Sequence, residues 1–240
     1  MKSIELHIRN DIEMPLGKII AQASHALGLK FIQQCRLVKE YKDAITIQSE
    51  LNEIVDFSYS KFIKINWVSE RDIESLTDAS IITDSGRTVF NEPTITCAAT
   101  SNHTRKPTFC LPHQSDTMPF KQGIFINRKA VSDCKIERDE LIIQCAVSSL
   151  KTLINKFDLN GEATLQKSEA TYIWLTHLFG KTVVGSKKPN EYETVLRNVE
   201  LKASIVAINY QSHNIGFACT PIESNEIEKY TKHKSFRLLD

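Results

Sequence analysis

The sequence of 240 residues has almost no net charge and no long apolar run. Its 30 lysines and arginines nearly balance its 29 acidic residues, which leaves a net charge of +1. Such a chain lacks the global field of a nucleic-acid-binding or membrane-binding protein, so a polyanion would have to bind a local patch. The longest apolar stretches, such as residues 172–175 and 205–208, are far shorter than the roughly 20 residues that cross a bilayer. We therefore expect no transmembrane segment and no membrane partner.

We also expect no export signal, and the sequence lacks closely paired cysteines. Residues 1–7 alternate polar and apolar side chains, whereas a signal peptide has an uninterrupted apolar core, and this favours a cytoplasmic protein. The six cysteines include no CxxC pair. In an intracellular chain of this length they are more typical of small buried hydrophobes than of a disulfide or zinc framework. We therefore expect no metal site.

What the sequence does contain is typical of an ordinary globular protein. Hydrophobic residues make up 41% and charged residues 25% of the chain, which argues against disorder and fibrous repeats. Residues 101–119 contain three prolines and neither helical nor strand periodicity, so they predict a linker or long loop. The predicted organisation is a first domain over residues 1–101, a linker over 102–119 and a second domain over 120–240.

Hydrophobic periodicity predicts the same order of elements in both halves: strand, long helix, strand, short helix, and two further strands. In the first half these elements fall at residues 4–8, 20–31, 62–68, 70–76, 80–83 and 95–100. In the second half they fall at 123–127, 142–153, 182–184, 190–199, 204–208 and 215–219. A few identities, such as Gln22 with Gln144 and Cys97 with Cys219, favour a tandem duplication. The alternative is that two unrelated α/β halves share this order.

The sharpest motif runs from Met14 to Ala26 and joins the first strand to the first long helix. Gly17 and Lys18 stand where that helix begins. Unpaired amides at a helix N-terminus favour an anion, and a lysine beside them adds positive charge. Gln22 and His25 follow at i+4 and i+7 from Lys18, on the same helix face. This pattern suits a phosphate or a developing oxyanion, and the alternative is a solvated lysine after a turn glycine.

A second motif follows the predicted strand at residues 80–83. It reads Asp84-Ser85-Gly86-Arg87-Thr88, with Thr96 eight positions further on. Strand ends are where α/β sheets place ligands. An aspartate can accept a proton from water or hold a lysine, and threonine hydroxyls can orient a water molecule or a phosphate. The alternative is an ordinary Asp/Ser/Gly turn.

Together the two motifs resemble the type II peptidyl-tRNA hydrolase family. Its members carry M-x-x-G-K-x-x-A-Q-x-x-H-A and later D-A-G-R-T, and the present sequence departs from these runs only at Ser85. The resemblance implies a mixed four-stranded sheet flanked by helices, hydrolysis of the ester between peptide and tRNA, and no metal or other cofactor. It implies a catalytic set of Lys18, Asp84, Thr88 and Thr96, with substrate binding by Gly17, Gln22, His25 and Arg87.

The same motifs are missing from the second half. The repeat puts Glu140 where Lys18 stands and Val147 where His25 stands, and residues 209–214 contain no counterpart of the second motif. Because members of the resembled family commonly pair as homodimers, we expect two tandem α/β domains that form an intramolecular pseudo-dimer. Each domain would contain a mixed four-stranded sheet flanked by helices, and the first would hold the chemistry.

Two functions remain open at this stage. One is hydrolysis of peptidyl-tRNA, and the other is a noncatalytic tRNA-binding or protein-interaction module on the same fold. Residues 1–105 carry 12 basic against 14 acidic residues, and the rest of the chain carries 18 against 15. A tRNA-binding domain should carry a basic face. The basic residues of the second half, among them Lys181, therefore have two interpretations: they are solvated surface charges, or they are contacts for tRNA.

Overall fold

The computed structural model describes residues 3–85, 89–102, 111–177 and 179–231, and the backbone of 236–238. The first half contains β1 (Ile4–Arg9), α1 (Leu16–Gln34), β2 (Arg36–Glu40), β3 (Ala44–Gln48), α2 (Leu51–Ser58), a 3-10 turn (Ser60–Phe62), β4 (Ile63–Val68), α3 (Glu70–Glu74), β5 (Ser80–Asp84) and β6 (Thr94–Ser101). The second half contains β7 (Phe120–Asn127), α4 (Arg128–Asp133), α5 (Arg138–Ile154), β8 (Glu162–Gln166), α6 (Ala170–Thr176), β9 (Lys181–Ser186), α7 (Pro189–Glu200), β10 (Ile205–Tyr210), β11 (His213–Cys219), β12 (Ile222–Glu223), α8 (Ser224–Thr231) and β13 (Phe236–Leu238). Every element predicted from the sequence is present, although its ends differ by a few residues. None of the helices in the described part of the chain is long and apolar enough to cross a membrane.

The first sheet has the strand order β4-β1-β6-β5. Its β1 runs parallel to β4 and antiparallel to β6, and β5 runs antiparallel to β6, so this is the expected mixed sheet of four strands. Helix α1 covers one face because its apolar side chains recur at helical spacing. The predicted stripe of Ile20, Ala23, Leu27 and Phe31 is completely buried.

The second sheet repeats this arrangement and extends it. Strand β7 runs parallel to β9 and antiparallel to β11, and β10 runs antiparallel to β11. These four strands therefore have the order and directions of the first sheet. The expectation of four strands was wrong here, because β13 adds to β9 and β12 adds to β7, which makes a sheet of six.

A β-bulge lies at the same place in both sheets. The β5–β6 register shifts between Ile82 and Thr83, and the β10–β11 register shifts between Ile208 and Asn209. Thr96 and Ile215 are the residues without a partner in the two ladders. When the two halves are aligned on their bulges, Cys97 corresponds to Gly216. The proposed match of Cys97 with Cys219 was therefore wrong. A common origin of the halves stays a prediction.

A third sheet, which the sequence analysis did not predict, contains strands of both halves. The hairpin of β2 and β3 belongs to the first half, and β8 of the second half pairs antiparallel with β3. Helix α1 also packs against α5. One cluster of buried side chains extends through both halves, from Ile20 and Leu27 to Ile142 and Ala146. The boundaries predicted at residues 101 and 120 remain predictions.

The predicted linker is only partly within the described residues, since 103–110 lie outside them. Residues 111–119 form neither helix nor strand, as expected. They are nevertheless packed against the second half, because Leu111 contacts the core and the backbone N–H of Gln114 donates to the carbonyl of Thr176 at 2.7 Å. Leu111, His113 and Met118 of this segment line the cavity that contains the candidate site.

Candidate active site

A cavity of about 910 Å³ opens between the start of α1, the end of β5 and the start of β9. Both halves of the chain line it. The first half contributes Gly17, Lys18, Gln22, His25 and Asp84, all of which the sequence analysis singled out. The second half contributes apolar side chains, among them Phe179, and polar ones, among them Lys121, Lys181 and Glu228. The two motifs that are far apart in the sequence therefore meet in one place.

Lys18 and Asp84 form an ion pair in this cavity. The Lys18 ammonium donates to the carboxylate, and their side chains are only 13% and 10% exposed. Gln22 Nε2 donates to the same oxygen, Asp84 Oδ2, at 2.8 Å. Because Lys18 and Gln22 are four residues apart on α1, both can reach one carboxylate. Lys18 and Asp84, which belong to different sequence motifs, therefore share one pocket.

The ion pair also explains how a lysine is tolerated in the first turn of α1. The positive end of the helix dipole disfavours a cation there by roughly 0.3–1 kcal/mol. The first turn of α1 contains no acidic residue that would offset this effect. Asp84, which comes from β5, supplies the missing negative charge across 66 residues of sequence.

Thr96 lies within the sheet and does not line the cavity. Its side chain is fully buried, and its hydroxyl donates to the carbonyl of Ile82 at 3.2 Å. A β-bulge bends its strand and increases the local twist, and bulges are frequent beside active sites. The Thr96 hydroxyl therefore stabilises the bulge that precedes Asp84. Of the other predicted site residues, Arg87 and Thr88 lie outside the described residues.

His25 is the third polar residue on the cavity face of α1. Its ring packs against Phe179, with 5.3 Å between ring centroids. Its Nε2 atom is shielded from solvent and has no hydrogen-bond partner among the described residues. Burial lowers the pKa of His25 well below its ordinary value of 6.5, and the charges of Lys181 and Lys18 lower it further. The imidazole is therefore neutral at pH 7.

Lys181, for which the sequence left open a solvated charge or a contact for tRNA, lines the cavity. Its ammonium donates to Gln122 Oε1 and to Ser149 Oγ, the latter at 3.2 Å. It also lies 4.3 Å from the ring centroid of Trp174 and 4.7 Å from that of Phe179. Burial lowers the pKa of Lys181 well below its ordinary value of 10.5. The interpretation of Lys181 as a solvated charge was wrong; the aromatic residues just before it were the available signal.

The second half has no comparable site in its described part. Strands β10 and β11 are joined by Gln211 and Ser212 alone, with φ of 44° and 71°. Such a two-residue turn leaves no room for the loop that joins β5 to β6. Tyr210 takes the ladder position of Asp84, since each pairs with the first residue of the following strand. Glu140 accepts a hydrogen bond from Gln144, whose amide also donates to Ser60 of the first half.

Cysteines and carboxylates form no metal centre among the described residues, where no group of three potential ligands occurs. Cys35, Cys97, Cys145 and Cys219 are buried and form no disulfide with one another, as expected for small hydrophobes. Burial raises the pKa of Cys219 to about 12. These thiols are therefore packing residues.

Comparison with known proteins supports the first half of this description. Residues 3–106 match the family model described as Peptidyl-tRNA hydrolase PTH2. No curated protein and no solved structure gives a significant match to the chain. The matched segment contains both sequence motifs and the first sheet, and it ends before the second half.

Proposed function

We propose that the protein hydrolyses the ester bond between peptide and tRNA, because residues 3–106 match the family model of peptidyl-tRNA hydrolase PTH2. The observation that carries this proposal is that Lys18 and Gln22 both donate hydrogen bonds to one carboxylate oxygen of Asp84 in the cavity. A buried carboxylate that is held by two donors from a helix is fixed in orientation. It can therefore act on a substrate without prior rearrangement.

Asp84 and Lys18 have complementary roles in this reaction. Asp84 orients a water molecule and accepts its proton while the water oxygen bonds to the ester carbonyl carbon. Lys18 has three N–H donors, so it can hold Asp84 and also donate to the oxyanion that develops on the carbonyl oxygen. The bond from this carbon to the ribose oxygen then breaks, and the proton passes to the ribose oxygen. Thr88 positions the water, and Thr96 acts through the strand that ends at Asp84.

The second half serves as a fused, noncatalytic partner of the first. Residues 1–101 would be the catalytic domain, and 120–240 a degenerate copy that pairs with it as a pseudo-dimer. Support comes from the shared strand order and bulge, from α1 packing on α5, and from the two-residue turn at 211–212. Because the cavity is lined by both halves, tRNA would contact both of them.

Initial rates with peptidyl-tRNA test the proposed reaction. Lys18→Ala should lower kcat by about 10²- to 10³-fold, as expected for loss of one donor to an oxyanion. Asp84→Asn should also abolish most turnover, because an amide does not accept the proton. Glu140→Ala is the matched control, since it occupies the corresponding position on α5, and it should leave turnover nearly unchanged.

Two results would contradict the proposal. If the wild-type protein binds tRNA but gives no turnover above background, the noncatalytic binding module is the correct function. If Glu140→Ala lowers the rate as much as Lys18→Ala, the active half has been assigned wrongly. Thermal melting of each variant separates loss of chemistry from loss of folding.

A further inference from the structure

The cavity contains a second feature that lies outside the family-matched segment. Phe179 and Lys181 come from the connection between α6 and β9 and from the start of β9. Both line the same cavity as Lys18 and Asp84. His25 links the two groups, because it stands on the face of α1 that carries Lys18 and packs its ring on Phe179.

Among the residues that the structure describes, Lys181 has hydrogen-bond partners that are neutral and no acidic partner. Its ammonium has three N–H donors, and two of them reach the neutral oxygens of Gln122 and Ser149. No carboxylate lies within ion-pair distance of Lys181 in the part of the chain that the structure describes. A buried charge without a counter-charge is costly. An anion that enters the cavity would offset this cost and take up the remaining donor.

Lys181 differs in this respect from Lys121, the other lysine that the second half contributes to the cavity. Lys121 lies 3.3 Å from Glu228, so its charge is already matched. Neutralised and unneutralised lysines therefore line the same cavity.

Phe179 is held in a conformation that costs backbone energy. Its φ is 50°, in the left-handed region that a bulky residue rarely adopts. Its ring lies between His25 and Trp174, at centroid distances of 5.3 Å and 4.1 Å. The ring also covers Gly28 of α1, where an added Cβ would lie 3.2 Å from the Phe179 ring. Strained residues of this kind cluster at ligand-binding sites.

We propose that Phe179 and Lys181 form a nucleotide-binding subsite of the cavity. Lys181 binds a phosphate of the 3′-terminal CCA segment of tRNA, and Phe179, whose ring packs between His25 and Trp174, holds the wall of the cavity beside it. A lysine serves as a point charge for phosphate. The subsite rests on the proposed function, because it fixes the 3′ end of tRNA while the ester lies at Lys18 and Asp84. The second half thereby completes the active site.

Binding of the trinucleotide CCA and of uncharged tRNA to the full chain tests this subsite directly. Lys181→Met removes the charge but keeps an unbranched apolar side chain against Trp174. It should weaken binding by about 10- to 100-fold, the range for loss of a charged hydrogen bond. The slope of log K against log salt should become shallower by about 0.7 for one lost phosphate contact on a single strand. Lys181→Arg should retain most of the binding affinity and most of the salt slope.

Lys129→Met is the control, because Lys129 pairs with Asp133 on the surface and does not line the cavity, and it should leave affinity and salt slope unchanged. Removal of this uncompensated charge should not lower the melting temperature, and a melting temperature equal to that of the wild type would exclude unfolding as the cause of weaker binding by Lys181→Met. In the hydrolysis assay, Lys181→Met should raise KM much more than it lowers kcat.

The outcomes separate this subsite from the proposed reaction. If the wild-type protein hydrolyses peptidyl-tRNA but Lys181→Met keeps its affinity and salt slope, the subsite is wrong and the reaction stands. If the wild-type protein binds CCA through Lys181 without any turnover, the reaction is wrong and the subsite stands. In a third outcome, Lys181→Met binds CCA as tightly as the wild type does, but a free peptide inhibits hydrolysis by the wild type and not by the variant. The anion that Lys181 binds is then the peptide carboxylate, and the assignment to phosphate is wrong.

Discussion

Basic side chains around the cavity are treated differently by their surroundings. Lys18 is paired with Asp84, Lys121 with Glu228, and Lys181 with neutral oxygens and aromatic rings. His25 is kept neutral because burial lowers its pKa. A site that presents fixed and partly uncompensated positive charge is suited to a substrate that carries phosphates and develops an oxyanion.

The lowered pKa of His25 predicts a pH-dependent stability. In the folded state His25 resists protonation, whereas in the unfolded state its pKa is near 6.5. Protons therefore bind preferentially to the unfolded state as the pH falls below about 6.5, and the free energy of unfolding decreases. Between pH 7 and pH 5.5 this residue should account for about 1 kcal/mol. Urea unfolding at both pH values measures the loss, which should be smaller in His25→Gln.

His213→Gln is a control for this measurement, because His213 is exposed on the β10–β11 turn. The free energy of unfolding of His213→Gln should change with pH as it does in the wild type. His7, whose pKa burial also lowers, contributes equally in all three proteins. Equal losses of stability in wild type and His25→Gln would show that His25 titrates normally in the folded protein.

At the residue scale, the sequence located those site residues whose spacing is set by one element. Lys18, Gln22 and His25 follow from helical spacing, and Asp84 follows from its place at a strand end. Lys181 and Phe179 could not be located in this way, because they reach the cavity only through the packing of β9 and its preceding connection against α1. Local spacing contains no information about that packing.

At the scale of elements, the bulge that contains Thr96 controls where β5 ends. Thr96→Val keeps the shape of the side chain but leaves the Ile82 carbonyl without its donor. Loss of a partner for a buried polar group costs about 1–3 kcal/mol. We expect Thr96→Val to lower the free energy of unfolding by this amount, and to lower kcat through displacement of Asp84. Urea unfolding and initial rates measure the two effects.

Thr94→Val is the matched control on the same strand. The Thr94 hydroxyl donates to the carbonyl of Glu92 on the surface, so its loss should change stability by less than about 0.5 kcal/mol. If Thr96→Val were less stable yet kept the wild-type kcat, the bulge would support the fold without positioning Asp84.

The two long helices and the central strands of the two mixed sheets were predicted from their apolar periodicity, whereas the third sheet was not predicted. Helices α1 and α5 and the strands of the two mixed sheets bury regular stripes of side chains. Strand β2, in contrast, is exposed along its whole length and reads Arg-Leu-Val-Lys-Glu. Its hairpin partner β3 is completed by β8, a strand more than 110 residues away along the chain. Pairing between the halves therefore lay beyond any local pattern.

At the scale of the whole molecule, neither half buries its long helix without the other. Helix α1 covers its own sheet on one side and packs against α5 on the other, and the main cluster of buried side chains contains residues of both halves. Strand β3 is also covered by β8. An isolated first half would expose these apolar surfaces, and burial of apolar area is the dominant favourable term in folding.

We therefore predict that residues 1–101 alone do not form a folded monomer. Circular dichroism and urea unfolding should show no cooperative transition for the monomer, whereas mixing with residues 111–240 should restore one.

A homodimer of residues 1–101 would agree with this reasoning, because a second α1 can cover the face that α5 covers in the full chain. A full chain with a protease site inserted within 103–110 is the control, and its halves should stay associated after cleavage. A cooperatively folded monomer of residues 1–101, measured by analytical ultracentrifugation at low concentration, would refute the pseudo-dimer and make the first half an independent domain.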